Sequence, residues 1–407
     1  MRQLSESNDV TEKFGLGQGP FLGPMQRPGP HGRWDSRSVS RHFPRPPTAS
    51  VYDCLATTPS VAVVILNWNG KEDTLECVAS VRRLIYPQYK VVVVDNGSTD
   101  DSVDSIRECH PDITILQTGA NLGYAGGNNV GIRWALEHDA EYVLVLNNDT
   151  VVAPDMLSQL VSVALVDPRI GLLGPSNFYY ARPTELCSVG ATLRAPAYRG
   201  YTLVGDGDMK ESWRGPVQFD ALVGSAMLIH RRVFEELQLF DERFFLCYEE
   251  FDFAMRAARA GYSCVFVPDA KIWHKVGGSL GDLESPVRTY FNVRNRLMWS
   301  KKHFSWLVRL PLHFENLRIL RAIFRPSFSV SDRNAPIFKQ ILWAVLSWRR
   351  VIGRKLSDPT IYATALALRD YYLGRFGNCP EGLRRLAITL RQSSKPRVPK
   401  EHIDCAA

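Results

Sequence analysis

No run in the 407 residues approaches the ~18 consecutive apolar residues expected of a spanning helix, which argues against an integral membrane protein. The eight cysteines, at 54, 77, 109, 187, 247, 264, 379 and 405, contain no Cys-x-x-Cys pair, so zinc-site spacing is missing. The first 30 residues show no secretory signal; with this cysteine usage, a reduced cytosolic compartment is expected. There is no internal repeat, coiled-coil heptad or collagen-like period. A Gly-x-Gly-x-x-Gly fingerprint is absent, which excludes a Rossmann dehydrogenase. A Gly-Lys-Ser/Thr phosphate loop is also absent, which weighs against a nucleoside triphosphatase. What remains is ordinary globular composition, 45% hydrophobic and 22% charged, with length for one large domain and appendages or for two domains.

The net charge of +7 is unevenly spread. Residues 294–400 hold 22 Lys+Arg against five acids, a net of +17, while the remainder holds 27 basic and 37 acidic residues, a net of −10. An acidic body with a basic tail points to an anionic partner: a membrane surface, nucleic acid or a phosphorylated substrate. No recognition motif for nucleic acid accompanies the charge, so nucleic acid is disfavoured.

Residues 1–59 contain eight prolines and no apolar period, and read as a disordered extension. From Val61 the pattern changes. Val61–Leu66, Val91–Val94, Ile113–Gln117 and Tyr142–Leu146 read as strands, the first two as short runs buried on both faces. Helical stretches at roughly 71–84, 100–109, 128–138 and 154–165 lie between and after them. Such alternation predicts an α/β fold with a parallel sheet. Further helices are expected at 231–237 and 249–260, a strand at Ser263–Val267, and basic amphipathic helices from about 286.

Ligands of open parallel sheets bind at the carboxyl ends of the strands. Asn67-Trp-Asn-Gly70, Asp95-Asn-Gly-Ser-Thr-Asp100, Asn121–Asn129 and Asn147-Asn-Asp-Thr150 stand there. Each alone has the composition of a plain turn; four on one edge point to a ligand site. Asp95 suits a base N–H or a ribose hydroxyl, with a capping or Asx-turn role as the alternative. The glycine-rich stretch 123–127 reads as a loop whose backbone approaches a phosphate. Asp149 offers hard oxygen to Mg²⁺ or Mn²⁺. Glu249-Glu250-Phe251-Asp252 puts three carboxylates in four residues beside aromatics. Part of that cluster is explained by the dipole at a helix start, and the functional reading is a general base. His274 is a structural histidine unless Asp149 lies beside it.

These stretches, in this order, resemble glycosyltransferase family 2, of GT-A fold, and within it the bacterial rhamnosyltransferase-like branch. The resemblance covers about residues 60–300 and rests on Asn67-Trp-Asn-Gly70, Val94–Asp100, Asn121–Asn128, Leu146–Thr150, Phe240–Phe245 with Glu249–Asp252, and Trp273-His274; Asp370–Gly377 also looks like the tail of such proteins. It implies a nucleotide-sugar-binding fold with a mostly parallel central sheet at 60–300 and a helical basic region at 301–407. It implies an inverting, metal-dependent hexosyltransferase acting on a glycan or lipid-linked acceptor.

By resemblance, Asp95 is the nucleoside-binding aspartate. Asn67 and Asn69 flank the base, and Gly123, Gly127 and Asn128 line the donor. Asn147 and Asp149 match the metal motif, with Asn replacing its first acid. His274 completes the metal site for Mg²⁺ or Mn²⁺. Glu250 stands where the family has its aspartate base, with Asp252 as the alternative. Arg294, beside Tyr290 and Asn295, is placed at the diphosphate, where a guanidinium fork suits phosphate. Gly224–Met227 and Arg231-Arg232 resemble the acceptor side. In the tail, aromatics between basic residues suit a helix at an anionic membrane interface, hence a peripheral position on the inner face of the cell membrane; helices packed on the catalytic domain are the alternative. A nucleotide-sugar binder without catalysis, or a nucleotidyltransferase, remain as other classes.

Overall fold

The computed structural model describes residues 58–193, 201–205, 207, 209–210, 213–275, 285–324 and 356–394. The extension expected at 1–59 lies outside them up to residue 57. So does the aromatic stretch Ile341–Trp348.

Strand β1 (Val61–Asn67) is buried along almost its whole length. That is the position its unbroken apolar run demands, between parallel neighbours with helices on both faces. It pairs in parallel with β2 (Tyr89–Asp95) on one side and β4 (Tyr142–Asn147) on the other. Strand β3 (Thr114–Gln117) extends the sheet beyond β2, also in parallel. The crossovers are α1 (Lys71–Val81), α2 (Ser102–Cys109) and α3 (Gly123–Glu137). The short β5 (Thr150–Val152) and helix α4 (Met156–Ala164) follow β4.

The second half of the sheet is mixed. It contains β6 (Ile170–Tyr179), β10 (Val217–Phe219), β11 (Ala226–His230) and β12 (Ser263–His274), and the full order is β10-β12-β6-β11-β4-β1-β2-β3. Strand β11 runs antiparallel to both neighbours, β4 and β6, while β12 is again parallel to β6. The edge hairpin strand β7 (Arg182–Ser188) pairs with β6, and β8 (Gly190–Leu193) with β9 (Tyr201–Val204). One apolar layer fills the face under α1 and α4. The other fills the face under α3, α5 (Arg231–Leu237) and α6 (Glu249–Ala260).

Helix α3 begins five residues earlier than the pattern at 128–138 indicates. Glycine is a poor helix former, but packing overrides propensity here. A Cβ on Gly127 would come within 2.5 Å of Leu66, and one on Gly131 within 2.3 Å of Val64. The glycines let α3 lie directly on the sheet.

The C-terminal region packs against this body. Helix α7 (Pro286–His303) contacts α8 (Trp306–Phe324), α9 (Pro359–Tyr372) and α10 (Glu381–Ser394). Tyr290, Phe291, Ala363, Ala367 and Leu383 form one buried cluster of this region. Among the described residues, no helix is long and apolar enough to cross a membrane.

Candidate active site

The register of the central strands puts the first polar residues side by side. Asn67 is opposite Asp95, and Leu66 is opposite Asn147. Asn67 is fully buried, and its Nδ2 donates to Asp95 Oδ1 at 2.9 Å and Ser98 Oγ at 3.1 Å. The Ser98 amide donates to Asp95 Oδ2 at 3.1 Å. Both carboxylate oxygens are therefore oriented before any ligand arrives. Asn69, at φ +51°, accepts from the Thr99 amide at 2.7 Å and the Asp100 amide at 3.3 Å, tying the first loop to the second.

Asn148 joins the third loop to this network. Its Nδ2 donates to Thr74 Oγ1 at 2.9 Å and approaches Asn67 Oδ1 at 3.4 Å. Thr74 also donates to Asn67 Oδ1 at 2.8 Å. Asn96 does the same for the start of α3, accepting from the Leu122 amide at 2.9 Å and donating to Gly123 O at 3.1 Å. Of Asn96, Ser98, Thr74 and Asn148, all but Thr74 stand in the ligand-facing stretches, but none has a binding role assigned from sequence. The first, second and fourth follow buried strands within three residues, and that position was the available signal.

Asp149 and His274 are 125 positions apart and meet because β12 is long. A bulge between Val267 and Lys271 carries its end alongside β5, pairing His274 with Thr150. His274 Nε2 then lies 3.1 Å from Asp149 Oδ1. Burial alone would lower the imidazole pKa, but Asp149 and the Cys187 thiol outweigh it and hold it up at about 9. Two adjacent ligands, each ~2.1 Å from an octahedral ion, stand ~3 Å apart, so this oxygen and nitrogen, once the ion displaces the Nε2 proton, fit one Mg²⁺ or Mn²⁺. His274 Nδ1 is buried without a hydrogen bond of normal geometry. Among the described residues no group of three His, Cys, Asp or Glu gathers for a metal. The other coordination positions would fall to substrate oxygens and water, the habit of Mg²⁺ and Mn²⁺ at diphosphates.

Glu249 and Glu250 open α6, after a loop that follows a 3₁₀ turn at Glu242–Phe244. Burial and the neighbouring Glu250 charge push Glu249 well above the ordinary carboxylate range. Burial pushes Glu250 up to about 7, against the helix-start amides and Arg288, which favour its charged form. One oxygen of each, Oε2, is buried without a hydrogen-bond partner. Tyr124 links this pair to the turn after β4. Its phenol, pushed up by burial and then by both glutamates, donates to Gly224 O at 2.5 Å. The next residue, Ser225, accepts from the Asn147 amide at 2.9 Å.

Four expectations are corrected by the geometry. Asp252 is no alternative base: it is fully buried and salt-bridged to Arg256 at 2.9 Å, Lys302 at 2.8 Å and His303 at 2.8 Å. Burial would raise its pKa, yet those three groups hold it below the usual value. Arg294 has no fork free for a diphosphate. Its guanidinium is buried and donates to Asn295 Oδ1, Gly377 O, Phe244 O and the Tyr290 hydroxyl.

Gly123 and Gly127 are not in a phosphate loop but in α3. A Cβ on Gly123 would strike Phe245 O at 2.3 Å, and Gly127 presses on Leu66 and Asn96. Asn128 points back along the same helix, donating to Tyr124 O at 2.9 Å, with its Oδ1 buried and unpartnered.

Family models match twice: "Glycosyl transferase family 2" over residues 62–192 and "Glycosyl transferase family group 2" over 142–364. An N-acetylglucosaminyl-diphospho-decaprenol L-rhamnosyltransferase of Mycobacterium tuberculosis is 30% identical over 296 residues, 66% of this chain and 96% of that protein. A hexosyltransferase of low-salt glycan biosynthesis from Haloferax volcanii is 29% identical, covering 60% of this chain and 76% of its own length. Among solved structures, GalNAc-T7 with UDP, GalNAc and Mn²⁺ superposes with a TM-score of 0.52 at 17% identity, over 75% of this chain and 59% of that one. That likeness shows a shared GT-A fold.

Proposed function

The chain belongs to glycosyltransferase family 2, and from that premise we propose that it moves a hexosyl or deoxyhexosyl unit, in one inverting displacement, from a nucleoside diphosphate sugar to a glycan hydroxyl. The observation that carries this is the single strand edge that holds both an oriented Asp95 and the Asp149–His274 pair. One binds a nucleoside and the other suits a metal-held diphosphate. A bound Mg²⁺ or Mn²⁺, held by Asp149 and His274, would supply positive charge where the leaving diphosphate gains its negative charge.

The chain's own residues do the rest. Asp95, with Asn67 and Ser98 fixing both its oxygens, takes hydrogen bonds from the nucleoside. Glu250, half-ionised near neutral pH, accepts the proton of the acceptor hydroxyl as that oxygen attacks the anomeric carbon. The attack comes from the face opposite the leaving diphosphate and inverts the centre.

The acceptor we propose is a lipid-linked glycan, supported by the name of the mycobacterial relative. Helix α8 supports a peripheral position on an anionic membrane. Trp306, Leu307, Leu310, Phe314 and Leu317 are exposed on one side, Trp306 at 63%, while Leu312, Asn316 and Ile323 are buried on the other. Arg318 stands at the edge of the exposed stripe, and Arg321 continues it toward the end of the helix. Binding to phosphatidylglycerol vesicles that is lost in Trp306→Ser/Phe314→Ser would support this. Binding unchanged in that variant would remove it.

The chemistry is tested by incubating the protein with Mn²⁺, a diphospho-polyprenol-linked N-acetylglucosamine, and in turn dTDP-rhamnose, UDP-N-acetylglucosamine, UDP-galactose and GDP-mannose. Released nucleoside diphosphate and the product's anomeric configuration are measured. Transfer with retention refutes the displacement. Donor binding with no turnover on any pair favours a binding protein without catalysis.

A further inference from the structure

We propose that Asn295 is a positioning residue for Glu250, an inference that rests on Glu250 being the proton acceptor. The loop delivering Glu250 is unusual: Phe245, Cys247 and Tyr248 have φ of +64°, +65° and +77°. None is glycine, and bulky side chains hold this left-handed backbone only where the surroundings over-determine it.

The over-determining group is one side-chain nitrogen. The two N–H groups of Asn295 Nδ2 reach three carbonyls, Phe244 O at 2.8 Å, Leu246 O at 2.7 Å and Cys247 O at 2.8 Å, one N–H being shared between two of them. Three carbonyls turned toward one amide fix three peptide planes, and those planes set the loop dihedrals. Asn295 is fully buried; without it Leu246 O and Cys247 O would lose this side-chain donor, while Phe244 O would keep Arg294 and the Leu246 amide.

Other groups orient the amide. Arg294 Nε donates to Asn295 Oδ1 at 3.0 Å, which leaves Nδ2 facing the loop. The same guanidinium reaches Gly377 O at 2.6 Å and Phe244 O at 3.0 Å. Tyr290, which accepts from Arg294 at 3.3 Å, donates to Asp370 Oδ2 at 2.8 Å. The opposite side of the loop rests on α3: Ala125 N donates to Phe245 O at 3.3 Å, and the Phe245 ring stacks on Phe291 at 5.4 Å. The role needs this side chain. Aspartate would turn an anionic oxygen on three carbonyls, and leucine would offer no donor.

The test compares Asn295→Leu and the milder Asn295→Ser with Leu297→Ala, a buried core change on the same helix that touches no loop carbonyl. Hydrogen exchange on the ligand-free full chain is expected to speed up at the 245–250 amides in the Asn295 variants and not in Leu297→Ala. On the active donor–acceptor pair, kcat is expected to fall ~100-fold, the cost of misplacing a catalytic group by ~1 Å. Donor KM should stay within ~2-fold on this reading, and the acid limb of the kcat–pH profile should shift. Wild-type kcat and pH profile in a folded Asn295→Ser overturn the proposal. An equal kcat loss in Leu297→Ala does so too, because the effect would then be general destabilisation. If Glu250→Gln keeps turnover, it is the base assignment beneath the proposal that fails.

Discussion

Glu250→Gln is expected to raise stability and abolish turnover together. In the folded protein burial raises the Glu250 pKa from 4.5 to about 7. The folded state thus binds the proton more tightly than the unfolded state. The stability this contributes is complete below about 4.5 and is lost as pH rises through about 7. At pH 8 the charged form costs ~3 kcal/mol at 1.36 kcal/mol per unit. The residue as a whole is half-buried and solvent screens part of the charge, which leaves ~1–3 kcal/mol.

Glutamine keeps the shape without the charge. Its melting temperature at pH 8 should exceed wild type by roughly 2–5 °C, and the gain should shrink toward zero by about pH 4.5. Turnover should fall by ~10²–10⁴, and the wild-type kcat/KM should drop about tenfold per pH unit below about 7. Differential scanning fluorimetry across pH and a nucleoside diphosphate release assay read both. A variant less stable than wild type at pH 8, or a gain that does not depend on pH, would refute the argument from burial.

Asp252→Ala should destabilise by ~2–4 kcal/mol, because it removes the buried carboxylate shared by Arg256, Lys302 and His303, though Lys302 keeps Asp241 and Arg256 keeps the carbonyls of Leu237 and Leu239. Denaturant titration measures this, and the midpoint of the acid limb should not move. Asp149→Asn should raise the Mn²⁺ concentration for half-maximal turnover by at least ~10-fold, read by metal titration after chelation; loss of turnover in EDTA should be reversed by Mn²⁺ or Mg²⁺. Asp95→Ala should weaken donor binding by ~1–3 kcal/mol with its larger effect on KM, checked by calorimetry with the nucleoside diphosphate.

What could be read in advance was whatever a buried run announces. Four valines ending in Asp95, and a second run ending in Asn67, locate the sheet edge without any tertiary knowledge. The Asp149–His274 contact depends on a strand bulge with no local signature, and only the family pattern anticipated it. Arg294 reads as a free fork in the sequence because two of its four partners are backbone carbonyls at 244 and 377, which carry no side-chain signal. The glycines of α3 read as a loop in the sequence because their low helix propensity is visible there, while the room they give Leu66, Val64 and Phe245 is not. Arg256, one helical turn from Asp252, was the visible part of a salt-bridge cluster completed by Lys302 and His303 from α7.

Gly377 brackets the base loop from both sides: its amide donates to Arg243 O at 3.0 Å, and its carbonyl accepts from Arg294 at 2.6 Å. In chain order Asn67, Asp95 and Asp149 come first, and His274 completes their strand edge only after about two thirds of the chain. The loop before Glu250 thus takes support from residue 377, so a chain ending before α9 would carry every residue of the strand edge and lack this clamp on Glu250.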